Sequence, residues 1–189
     1  MNPTSLFLAG AKDCEEFTEA IEIVKRNSSG KIWLIGGFVY RTIASQLYGL
    51  PRPEVDLDFI VEVPVQEFDL PNGWRADINR FGNPKLVNGK KQIDYVPLKN
   101  IYSILQRQVE PTIENFLTGV PLIVQSIAYD VYANRIIGEV GIDALQRRVV
   151  EVNNLIFAEY AAKKKGKSLQ VMIQEKADSL RFTPVFPKP

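Results

Sequence analysis

Between Asp13 and Arg26 the apolar residues Phe17, Ala20, Ile21 and Val24 recur at helical spacing, with acids early and basic residues late, as the helix dipole prefers. Asn27 to Gly30 ends that helix. Lys31 to Ile35 is a short apolar run bounded by glycines, the pattern of a buried strand. Gly36 and Gly37 then turn the chain into a helix over 38–48, where Val39, Ile43, Ala44 and Leu47 share one face. Pro51 and Pro53 impose a loop over 49–54, and Val55 to Val63 reads as a strand. Turn residues dominate 64–73, and Trp74 to Asn79 reads as another short strand. Lys85 to Val87 and Lys90 to Val96 flank Asn88-Gly89, which predicts an antiparallel hairpin. Short helices are expected over 100–108 and 112–117, the second just after Pro111. β-Branched and aromatic residues over 122–132 predict a strand, Ala133-Asn134 a turn, 135–140 an extended segment and 141–149 a helix. Two helical stretches parted near 163–168 fill 153–180, and a proline-bearing tail closes the chain.

These elements predict an α+β fold: a twisted mixed sheet with an acid-bearing open face, helices on the other face, and a small C-terminal helical extension. A length of 189 residues suits one domain with an appendage, here 1–152 and 153–189. With no histidine and a single cysteine, Cys14, the chain cannot build a Ser-His-Asp triad, a Cys-His dyad or a zinc centre. Acid–base chemistry falls to carboxylates, helped by lysine, tyrosine or a metal. The lone cysteine has no basic neighbour and is expected to be structural, in a reducing, cytoplasmic setting. The apolar stretch 6–11 lacks a basic lead-in and makes a poor signal peptide, and polar residues interrupt 120–137, so no membrane association is expected. A net charge of +1 argues against binding nucleic acid through the whole surface.

Candidate chemistry lies in Val55-Asp56-Leu57-Asp58-Phe59. On a strand, Asp56 and Asp58 would share one face with their backbones ~6–7 Å apart, close enough to reach one metal. Asp94 sits on another apolar strand, in Ile93-Asp94-Tyr95. If the two strands are neighbours, three acids converge, repel one another and call for a cation; their hard oxygens suit Mg2+ or Mn2+. The same acids could instead line the wet side of an edge strand, with Asp94 elsewhere. The amides at Gly36-Gly37 and the helix start after them could approach a triphosphate where side chains would obstruct it. Arg41, one helical turn beyond Gly37, is the candidate phosphate contact.

The order Ile35-Gly36-Gly37, helix, Asp56-x-Asp58, then Asp94 resembles the nucleotidyltransferase superfamily of the DNA polymerase beta type. More narrowly, Ile32–Val39, Ser126–Asp130, Arg135–Gly138 and Gly141–Val149 resemble the head domain of CCA-adding tRNA nucleotidyltransferases and bacterial poly(A) polymerases, over about residues 30 to 152. The resemblance implies metal-dependent transfer of a nucleoside monophosphate from a nucleoside triphosphate to an acceptor hydroxyl. It places the metals on Asp56 and Asp58, gives Asp94 a part in activating the acceptor oxygen, and lets Gly36 and Gly37 admit the triphosphate. The acceptor, an RNA or a small molecule, is not specified by it.

Three features depart from the family pattern. Tyr40-Arg41 shifts the basic residue after the glycines by one place, and Gly119-Val120-Pro121 stands where the family carries an arginine-arginine-aspartate element for nucleotide and ribose. About 37 residues follow 152, too few for the parts that grip tRNA, so tailoring of tRNA ends is not expected. The missing basic element motivates an alternative: a catalytically inactive nucleotide-sensing or protein-binding module of the same fold. A further reading, RNA binding through Lys163, Lys164, Lys165 and Lys167 with stacking from Tyr160 or Phe157, competes with a plain solvated helix end.

Overall fold

A computed structural model describes residues 2–79 and 82–187 of the chain. The first helix, α1 (Pro3–Ala11), starts where the Asn2 side chain accepts a hydrogen bond from the Ser5 amide and proline occupies the first turn. Apolar periodicity gives no sign of it, because Leu6, Phe7, Leu8 and Ala9 run around the helix. In α2 (Glu15–Arg26) the apolar face carries Phe17, Ala20, Ile23 and Val24, as the pattern predicts. β1 (Ser28–Ile35) takes in residues expected to be a helix stop, and Gly36 turns it into α3 (Gly37–Tyr48).

Next come β2 (Leu57–Pro64), β3 (Arg75–Ile78), β4 (Pro84–Asn88), β5 (Lys91–Pro97), α4 (Tyr102–Arg107) and α5 (Ile113–Thr118). β6 (Ala128–Asp130), β7 (Arg135–Ile137), α6 (Glu139–Arg147), β8 (Val149–Val150), α7 (Leu155–Lys164), α8 (Leu169–Leu180) and β9 (Thr183–Pro184) complete the order. The strand expected over 122–132 is confined to β6. Ahead of it, Ile123–Gln125 forms a 3-10 turn, held by the Leu122 amide donating to Gln125 Oε1 at 3.1 Å and by Ser126 Oγ donating to the Leu117 carbonyl at 3.0 Å. Local side-chain bonds there outcompete the β propensity of Ile123 and Val124.

Among the described residues a seven-stranded mixed sheet runs in the order β3-β4-β5-β2-β1-β6-β7, with β2 and β5 parallel and the other neighbours antiparallel. Alternation divides its faces. Ile32, Leu34, Leu57, Phe59, Ile93 and Tyr95 face the main core, which gathers α1, α2, α3 and α6 and continues into α7 and α8 through Ala158, Ile173 and Ala177. Trp33 and Ile60 face the other way, where α4 and α5 cover part of the sheet with Ile101, Ile104, Ile113 and Leu117. Asp58 and Asp94 belong to this second face by the same alternation. Trp33, Phe59, Tyr129 and Phe157 are buried, while Phe116 is only partly so.

One buried amide ties the helical layer to the sheet. Asn27, fully buried, donates from Nδ2 to the carbonyls of Ile23 and Asp69 at 2.8 and 2.9 Å and accepts from the Asp69 amide at 2.6 Å. Its own carbonyl accepts from the Tyr95 hydroxyl at 2.5 Å. Asn27→Ala would strip the Asp69 amide and carbonyl of this partner, while the Ile23 carbonyl keeps the backbone amide of residue 27, and urea denaturation should show a loss of about 3 kcal/mol. A loss below ~1 kcal/mol would mean that water replaces the amide.

Candidate active site

Register brings the predicted acids together. Asp58 pairs with Asp94 across the parallel β2–β5 ladder and with Ile35 across β1, so the acids lie beside the turn that begins at Gly36. Asp56 sits just before β2, on its exposed lead-in, rather than within the strand as expected. One carboxylate oxygen from each of Asp56, Asp58 and Asp94 falls within 4.8 Å of the others. β2 lies between β5 and β1, which rules out the wet-edge alternative.

Gly36 is required at its position. Its φ of +81° with ψ of −159° is open only to glycine, and a Cβ there would overlap Asp58 Oδ2. Burial, followed by the charges of Asp56 and Asp94, pushes the Asp58 carboxyl from its ordinary 3.8 up to about 7, while Lys85 opposes the shift. Lys85 Nζ stands 3.7 Å from Asp94 Oδ1. The three acids are thus an under-compensated anionic patch of hard oxygen donors, which fits Mg2+ or Mn2+.

Beside the acids opens a cleft of about 570 Å3, lined by Gly37, Tyr40, Arg41, Arg52, Asp56 and Lys176 among others. The volume is in the range of small-molecule and cofactor sites. Arg41 reaches Ser179 Oγ at 3.5 Å, and Lys176 Nζ donates to the Tyr40 hydroxyl at 2.9 Å, so α8 forms one wall. Carboxylates at one end and three cations along the sides suit a metal-bound polyanion. Arg52 and Lys176 escape sequence reasoning: one lies in a Pro-Arg-Pro loop, the other on a helix 135 positions beyond Arg41, and neither carries a local motif.

At the segment lacking the family's basic element, Arg107 packs against Gly119. Its guanidinium is committed to the Ser103 carbonyl and Thr118 Oγ1, both at 2.9 Å, and to the Asn115 carbonyl, which brace α4 against α5. Of the two rings considered for RNA stacking, Phe157 is buried, and Tyr160 stacks on Tyr102 at 4.9 Å. Lys167 is paired with Glu175 at 2.6 Å. Burial raises the pKa of the Cys14 thiol, which disfavours a reactive thiolate.

Known folds place this arrangement. A CCA-adding enzyme solved with ATP superposes with a TM-score of 0.61 at 17% identity, covering 95% of this chain and 41% of that one. The Bacillus stearothermophilus CCA-adding enzyme in complex with CTP gives 0.60 at 20% identity, covering 90% and 41%. The chain has a nucleotidyltransferase fold. The Thermotoga maritima CCA-adding enzyme complexed with tRNA gives 0.59 at 16% identity, covering 98% and 42%. The chain thus spans about two-fifths of the length of these enzymes. No protein-family model and no curated protein matches the sequence. Among the described residues, no helix is long and apolar enough to cross a membrane.

Two outcomes follow from the geometry. Gly36→Ala should destabilise the protein by about 2 kcal/mol or more in urea melts, since it forces a glycine-only backbone conformation and displaces Asp58; an unchanged midpoint would show that the turn relaxes freely. Between pH 3.8 and about 7 the folded chain keeps a proton on Asp58 that the unfolded chain has released, so this residue's contribution to stability falls as pH rises through that window. From pH 5 to pH 8, without metal, Asp58→Asn should therefore lose less stability than the wild type. Equal losses would place the pH dependence elsewhere.

Proposed function

We propose that the protein is a Mg2+- or Mn2+-dependent nucleotidyltransferase. It would transfer a nucleoside monophosphate from a nucleoside triphosphate to the hydroxyl of an RNA or small-molecule acceptor. The carrying observation is the convergence of Asp56, Asp58 and Asp94 beside Gly36, at the mouth of a cation-lined cleft. In this reading residues 1–152 form the transfer domain, and the extension over 153–189 closes the cleft with α8.

Asp56 and Asp58 hold the metal, and Asp94 completes the set. When bound, the ion supplies Lewis acidity at the phosphates and neutralises charge that develops during transfer. Gly36 and Gly37 let the backbone at the start of α3 approach the triphosphate, and Arg41, Arg52 and Lys176 counter its charge. The acceptor oxygen bonds to the α-phosphorus while the bond to the pyrophosphate oxygen breaks. The acceptor proton leaves toward the Asp94 carboxylate. Most of the assistance is positioning and electrostatic, as phosphoryl chemistry generally requires.

The Gly119–Pro121 segment, whose nearby Arg107 is bonded to α4 and α5, favours a second reading as a nucleotide-binding module without turnover. Thermal unfolding with each nucleoside triphosphate and Mg2+ or Mn2+ tests both. A ligand at ~100 times its Kd stabilises by about 2.7 kcal/mol, and Asp58→Asn should lose that metal-dependent gain. Pyrophosphate release with an acceptor supports transfer; saturable binding without release, across varied RNA and small-molecule acceptors, supports the module. No stabilisation by any triphosphate would overturn both.

A further inference from the structure

The β4–β5 hairpin delivers a cation to the acid cluster. Asn88-Gly89 fixes its register, with Asn88 opposite Lys91 and Gly89 at a φ of +58°, and this sets Lys85 directly across from Asp94. Lys85, Asp94 and Asp58 therefore form one row across β4, β5 and β2 on a single face. On the outer side Asp77 of β3 also pairs with Lys85 in register, but its carboxylate is engaged by Arg75 through two contacts of 3.2 Å. The ammonium turns instead to Asp94. Both side chains of this pair are about three-quarters shielded, at 30% and 26% exposure.

Resting on the proposed metal site, we infer that Lys85 is the resident counter-cation of the acid triad: it neutralises Asp94 and gives way when a divalent ion binds, thereby setting the affinity of the triad for that ion. The 3.7 Å separation exceeds hydrogen-bond length, so the ammonium is held by charge on a flexible stem rather than locked in place. Divalent ions draw carboxylate oxygens to ~2.0–2.6 Å and carry twice the charge, so an ion shared with Asp94 displaces the lysine. Before that exchange Asp56, on the exposed lead-in to β2, is the freer ligand. Lys85 is thus a positioning residue that acts through Asp94. Its presence lowers repulsion in the empty cluster and opposes the incoming cation.

Calorimetric Mn2+ titration of the nucleotide-free protein tests this. Removing the opposing charge in Lys85→Met should tighten Mn2+ binding about tenfold, the scale of typical coupling between interacting sites. Lys85→Arg should remain near the wild type, and Asp58→Asn should abolish the binding. Without metal, Lys85→Met should also melt below the wild type, and saturating Mn2+ should recover a larger share of its stability. Lys85→Gln, verified as folded by circular dichroism, provides the second charge-removing variant. Mn2+ affinity unchanged or weakened in Lys85→Met and Lys85→Gln would overturn the counter-cation role alone. Absence of any wild-type Mn2+ binding that Asp58→Asn removes would overturn the metal site as well.

Discussion

Like charges forced together by strand register are the constraint on which this site depends. Asp58 and Asp94 oppose each other on parallel strands, and Asp56 closes on them from the lead-in, so a favourable β-ladder holds an unfavourable electrostatic cluster. Backbone pairing and the packing of Leu57, Phe59, Ile93 and Tyr95 on the reverse face stabilise the strands that carry the acids. The repulsion retained in the folded protein is what the proposed metal would relieve. Gly36 belongs to the same constraint, because only a residue without a side chain leaves room for the Asp58 carboxylate at the end of β1.

Charge of the opposite sign is arranged around this patch from distant parts of the chain. Arg41 comes from α3, Arg52 from the loop before β2, and Lys176 from α8. Tyr40 links two of these regions by accepting the Lys176 hydrogen bond. Consequently the C-terminal helices do more than lengthen the core: α8 forms a wall of the cleft in which the acids stand. The Gly119 region contributes no free cation there, since its neighbouring arginine braces two short helices.

Much of this was legible in the sequence where local chemistry is decisive. Glycines marked turns, Asn88-Gly89 marked the β4–β5 hairpin, alternation marked the start of β2, and Asp-x-Asp with a later aspartate marked the acid site. Helix α1 was not marked by periodicity, because its apolar residues surround the axis, although Asn2-Pro3 offers a cap signal. The segment 122–127 read as strand because propensity cannot see the Gln125 and Ser126 side-chain bonds that wind it into a 3-10 turn. Lys85 meets Asp94 through the register of the Asn88-Gly89 hairpin, whereas Arg52 and Lys176 join the site through tertiary placement, and nothing in their local sequence announces it.

Anomalous scattering from crystals grown with Mn2+ and a non-hydrolysable nucleoside triphosphate would test the central claim most directly. The account predicts a manganese peak ~2.0–2.6 Å from oxygens of Asp56 and Asp58, with phosphates between the start of α3 and Lys176. Manganese and nucleotide bound together at another surface, with the acid triad left empty, would contradict it.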